Sequence, residues 1–167
     1  MADDARAHLI EILKDFNSAM LVTRSADGQL HGRPMGVAEV GDEGELWFCA
    51  ALDSGKIADI DTAPDVAIMM QGKTKFASIS GRARITTDRQ QIARLWKNDW
   101  KIWFPGGKDD PNLGLIAVTP TEGEWWDNSG WRGLKFAFEA VKAVLQGEHM
   151  PDQKEENARV RLAGSRR

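Results

Sequence analysis

The chain has one cysteine, no tyrosine and three histidines among 167 residues. A single cysteine, Cys49, excludes an intrachain disulfide framework and suits a reducing compartment. His8, His31 and His149 have no metal-ligand spacing and no second cysteine beside them, so no metal is expected. No apolar run approaches the ~18 residues of a membrane-spanning helix. The opening residues (MADDARAHLIEILKDF) are acidic where a secretory leader would be positive. Net charge is −3, so no overall basic field recruits nucleic acid or an anionic membrane. These absences predict a cytoplasmic protein with neither a nucleic-acid nor a membrane partner.

Familiar catalytic signatures are missing too. Gly106-Gly107-Lys108 is followed by Asp109 and lacks the spacing of a phosphate-binding P-loop. Cys49 sits in an apolar run without a histidine partner, where thiols are usually inert. The acidic residues are scattered and form no acid–base pair. A chain without nucleophile, metal or acid pair either binds something or borrows its chemistry from a cofactor. What is abundant is tryptophan, seven in all, with Trp96, Trp100, Trp103, Trp125, Trp126 and Trp131 in the second half. Indoles at this density build cores and interfaces, or receive a planar aromatic ligand.

The patterning is that of one domain. Leu9, Ile12, Leu13 and Phe16 predict an amphipathic helix over residues 4–17. Residues 19–24 (AMLVTR) read as a strand, and Asp27-Gly28 as a tight turn returning residues 29–40 antiparallel. Residues 45–50 (ELWFCA) form a short apolar strand. Asp53 and Ser54 are N-cap types for a short helix carrying Ile57, Ala58 and Ile60, stopped by Pro64. Strands follow at 65–71 and from Gly72-Lys73 to about Thr86, with Gly81 marking a bulge. Thr87-Asp88 opens another helix with a capping-box glutamine three residues on, fading near Trp103. Residues 105–111 form a loop. Residues 113–118 and 122–127 predict a last hairpin, 134–146 a closing helix, and 147–167 a mobile charged tail. Hairpin-linked strands with short helices argue for a small barrel over a parallel sheet.

Two features carry candidate chemistry. Ser54-Gly55-Lys56 begins a helix, where free backbone N–H groups and the dipole favour an anion. The hydroxyl, the amides and the Lys56 ammonium could cradle a phosphate. Equally, Ser54 caps the helix and Lys56 pairs with Asp53 or Asp59 in solvent. Arg33 lies in His31-Gly32-Arg33-Pro34-Met35, where Pro34 marks a strand irregularity open to a ligand. A solvent-facing strand arginine is the other reading.

The order AMLVTR, GRPM, LWF, SGK before an Ala/Ile helix and Ala63-Pro64, then a strand ending ISG, resembles the pyridoxamine 5′-phosphate oxidase-related FMN-binding split barrels. Leu95-Trp96, Trp103-Phe104-Pro105, Asp110-Pro111 and Glu124-Trp125-Trp126-Asp127 resemble its bacterial general-stress branch. The likeness spans about residues 9–127. It implies a mainly β (α+β) fold, a six-stranded antiparallel split β-barrel with flanking helices. It also implies a homodimer with FMN, or alternatively FAD, between the subunits. Arg33, Ser54 and Lys56 match the family's phosphate-binding positions. Trp47, Phe48 and Cys49 match the strand beside the ribityl chain and flavin ring, with Met35 on its neighbour. Trp103 and Phe104 would reach the ring from the partner subunit, and Trp126 would be interface core or a substrate-pocket wall.

Departures remove the vitamin B6 reaction. Ala50 stands for a family threonine, and Phe76 for a glutamine that contacts flavin. Asp127-Asn128-Ser129-Gly130-Trp131 replaces the Arg-Leu-His segment that grips the vitamin phosphate. The expectation is a flavin-dependent oxidoreductase with an unassigned small substrate and electron donor. The alternative is a non-catalytic stress protein that stores flavin; relatives that bind a deazaflavin or haem form a third class, and the scarcity of histidines weighs against haem.

Overall fold

Leu9, Ile12 and Leu13 share one face of the first helix, α1 (Ala2–Lys14). All three are buried in the computed structural model, which describes residues 2–128 and 157–161. Period-two alternation then takes over. Strand β1 (Ser18–Arg24) buries Ala19, Leu21 and Thr23. The chain reverses at Asp27-Gly28, where Gly28 takes φ +86 and the Ser25 amide donates to the Gln29 carbonyl at 2.9 Å. Strand β2 (Leu30–Val40) returns antiparallel with Leu21 opposite Arg33 and Thr23 opposite His31.

The remaining elements are β3 (Leu46–Ala51), α2 (Gly55–Thr62), β4 (Asp65–Gln71), β5 (Lys75–Thr86) and α3 (Arg89–Leu95). They are followed by β6 (Leu113–Asp127) and β7 (Asn157–Arg161). Pairings run β1–β2, β2–β3, β3–β6, β6–β5, β5–β4 and β4–β1, all antiparallel. Six strands thus close into a barrel, as expected. The interior holds Leu21, Phe48, Ile68, Ile79 and Ile116, all fully buried, with Leu9, Ile12 and Leu13 of α1 and Ile57 and Ile60 of α2 packed into the same cluster. A second cluster covers the outside of β3 and β6, where Ile92, Leu95, Trp100 and Phe104 pack on Trp47, Leu113, Leu115 and Ala117.

Three expectations are corrected. The last hairpin is a single strand, β6, of 15 residues. Its first half pairs with β3 and the end of β5, and its second half with the start of β5 and with β7. Pro120 lies opposite Gly81 at the register shift, where a missing N–H costs no ladder bond, so the chain bends there without reversing. The helix opened by Asp88 ends at Leu95, and a 3-10 turn, Asn98–Ile102, follows. Within the segment read as a mobile tail, Asn157–Arg161 pair along β6 as β7. The predicted helix over residues 134–146, and Trp131, lie outside the described residues.

Candidate functional site

At the start of α2, Ser54 is the N-cap residue, but its hydroxyl donates to the Ala51 carbonyl at 2.6 Å and caps no helix amide. The turn begins with the Ile57 N–H donating to the Ser54 carbonyl at 3.0 Å. The Gly55 and Lys56 amides precede it, and space around Gly55 is open to 4 Å from an added Cβ. Asp53 is engaged elsewhere: its carboxylate accepts from the Asn112 amide group at 3.0 Å, and its backbone N–H donates to Asn112 Oδ1 at 3.2 Å. Asp59 pairs with Arg33 at 2.9 Å. Among the described residues no carboxylate lies within ion-pair distance of Lys56, so the solvent ion pair considered for it is not formed.

Lys56 opens into a cleft of about 290 Å³. Met35, Cys49 and Ala50 of the barrel strands line it, together with Trp100, Trp103 and Phe104. Phe104 is buried, whereas Trp103 is 66% exposed at the rim beside Ile102 at 78%. Burial, and then the nearby Arg33 charge, pull the Lys56 ammonium below the usual lysine value. Burial pushes the Cys49 thiol up to about 11, so it stays protonated and unreactive at neutral pH.

The structure gathers Met35, Cys49, Lys56, Trp103 and Phe104 around this cleft, with Arg33 near enough to act on Lys56. Phe48 points into the barrel core, and Trp47 lies under α3 with the Arg84 guanidinium 5.1 Å from its ring, so neither side chain lines the cleft. Strand alternation turns Phe48 inward, whereas Trp47 shares the outer face with Cys49 but packs with Ile92 and Leu95 of α3. Trp126 is on β6 opposite Phe76 and Asn157, away from the cleft lining. Trp103 and Phe104, the residues expected to approach the ring from a partner subunit, line this cleft together with Lys56. Asn112 anchors the loop that follows them: the Leu52 amide donates to its carbonyl at 2.8 Å, and its side chain grips Asp53, tethering the loop to the β3–α2 connection.

Sequence reasoning overlooked Thr23, Asp59 and Trp100. The first two hold Arg33: Nη1 donates to Thr23 Oγ1 at 2.5 Å and Nη2 to Asp59 Oδ2 at 2.9 Å. The signal for Thr23 was present, because the Asp27-Gly28 turn sets a register that puts Thr23 diagonally beside Arg33.

Chemically, the cleft offers the Lys56 ammonium at the start of α2, with the Arg33 charge nearby though outside the lining, and apolar and aromatic side chains beside it. That donor set fits a phosphate monoester joined to a planar ring. Among the described residues, no helix is long and apolar enough to cross a membrane.

A general stress FMN/FAD binding protein from Xanthomonas citri is 32% identical, with TM-score 0.65 over 77% of this chain and 92% of that one. A Jannaschia sp. CCS1 protein bearing the general stress protein 26 name is 29% identical, with TM-score 0.70 over 96% and 99% of the two chains. Protein bli-3 of Neurospora crassa is 33% identical over 112 residues, 60% of this chain, and the match spans 54% of that relative's length. The family model described as pyridoxamine 5′-phosphate oxidase like matches residues 4–152. The chain belongs to the pyridoxamine 5′-phosphate oxidase-like family.

Proposed function

We propose that the chain binds a flavin, FMN in the first instance and FAD as the alternative, and uses it for redox chemistry on a small molecule. The observation that carries this reading is Lys56: a cation without a carboxylate partner among the described residues, at open helix amides, beside Arg33, leading into an aromatic cleft. Arg33, Lys56 and the Gly55 and Lys56 amides would hold the phosphate. Met35, Trp100, Trp103 and Phe104 would cover the ring. A bound flavin supplies hydride and electron transfer, which this chain's own side chains do not. The name of the Xanthomonas citri protein, FMN/FAD binding, supports the choice of ligand.

The proposal includes a homodimer with the flavin shared between copies. A cleft of about 290 Å³ falls just short of the ~300–1,000 Å³ of small-molecule sites, so one chain would leave much of a flavin uncovered. Ile102 and Trp103 at its rim, and Met20, Met69 and Leu30 on the barrel wall, expose apolar surface that a second copy would bury.

A flavin-storing role is the second reading. It is favoured by the cleft lining, whose titratable groups among the described residues are Lys56 and a thiol held protonated, leaving no ready acid or base for a substrate. NAD(P)H oxidation by the flavin-loaded protein, followed by a screen of electron acceptors, separates the two. Turnover with an acceptor supports the oxidoreductase; flavin bound without turnover supports storage.

A further inference from the structure

Arg33 is only 25% exposed, and one side of its guanidinium is fully engaged. Asp59 Oδ2 accepts from Arg33 Nη2 at 2.9 Å and from Thr23 Oγ1 at 2.7 Å. Thr23 Oγ1, having given its one proton to Asp59, accepts from Arg33 Nη1 at 2.5 Å. The three groups close a ring of hydrogen bonds across β1, β2 and α2, with Thr23 1% and Asp59 8% exposed. A further, long contact from Nη1 reaches the His31 carbonyl at 3.5 Å. The rest of the five guanidinium donors have no partner among the described residues.

Asp59 sits three residues after Lys56, so the helix that presents the ammonium also holds the arginine. Neither Thr23 nor Asp59 lines the cleft. We propose that Thr23 and Asp59 are positioning residues, which lock Arg33 in the orientation that receives a phosphate monoester together with Lys56. A side chain fixed before binding loses less rotamer freedom on binding, so its contribution to affinity is larger. The Thr23 and Arg33 hydrogen bonds also hold the Asp59 carboxyl below its usual range, which keeps the lock charged at neutral pH. The opposite role for Asp59 is a rival anion that withholds Arg33 from the ligand.

The inference rests on the flavin-phosphate reading, and comparing FMN with riboflavin, its phosphate-free counterpart, separates the two. Affinities for both ligands are measured on the wild-type protein, Asp59→Asn and the near-isosteric Thr23→Val, with thermal melting of each. The wild type is expected to prefer FMN, and both variants to lose about tenfold of that preference while keeping riboflavin affinity. If Asp59→Asn fails to fold, Thr23→Val carries the test. An unchanged preference overturns the positioning role. A stronger preference shows Asp59 to be a rival, and equal loss of both ligands shows support of the fold alone. A wild type that binds the two ligands equally refutes the phosphate reading itself, and the inference with it.

Discussion

Lys56 and Asp59, one helical turn apart, have opposite electrostatic roles, and pH separates them. The Lys56 ammonium is depressed below 10.5 by burial first and by Arg33 second. In the free protein its charge therefore costs stability below its folded pKa, and the cost is relieved as pH rises toward 10.5. A bound phosphate restores the proton, so FMN affinity should fall with pH earlier than for an ordinary lysine. Lys56→Met should bind about tenfold to hundredfold more weakly at neutral pH and lose this alkaline dependence, as read by flavin fluorescence titration. Asp59 is lowered from 3.8 by the Thr23 hydroxyl and then by Arg33. A carboxylate depressed on folding contributes stability that is present above its unfolded value and lost as pH falls through the folded one. Urea unfolding should find Asp59→Asn less stable than wild type at pH 7, with the gap closing in acid below 3.8. Both residues were visible as types before the fold was known. What spacing alone could not decide was which partner each takes, because Asp59 lies within reach of Lys56 along the helix and of Arg33 only through the barrel.

At the level of elements, β5 and β6 show why the barrel closes. A Cβ on Gly81 would stand 2.7 Å from Val118 Cγ1 and 2.8 Å from the Thr119 carbonyl oxygen, so the strands approach there as only glycine permits. Gly81→Ala should destabilise the protein by about 1–3 kcal/mol in denaturant unfolding, since backbone must move to admit the methyl. The α1 stripe, the Asp27-Gly28 hairpin, β4 and the Gly81 irregularity were all legible, because each follows from local periodicity or turn chemistry. Residues 119–121 were misread. Thr119-Pro120-Thr121 looks like a turn in isolation, and only its pairing with Gly81 across the barrel keeps it extended. The 3-10 turn at Asn98–Ile102 escaped for a similar reason: Lys97 Nζ donates to the Val37 carbonyl at 3.3 Å, a contact 60 residues distant in sequence.

For the whole molecule, the exposed apolar residues are the feature a lone chain leaves unexplained. Ile102 and Trp103 extend from the cleft rim at 78% and 66% exposure, where a monomer would gain nothing from them. Sedimentation should find a dimer, and Trp103→Ser should weaken both dimer and flavin affinity if the two share a surface. A monomeric wild type would contradict the shared site while leaving the phosphate end intact. Family membership brought the site into view, whereas the anchoring of the loop after Trp103 and Phe104 comes from Asn112 and Asp53, whose contact no local pattern announces.

The proposed binding of flavin through its phosphate is tested by titrating flavin-free protein with FMN. The expected result is a yellow, saturable complex with one flavin per chain, quenched flavin fluorescence, and loss of the pigment in Arg33→Ala combined with Lys56→Ala. Protein that stays colourless after reconstitution with FMN would contradict it.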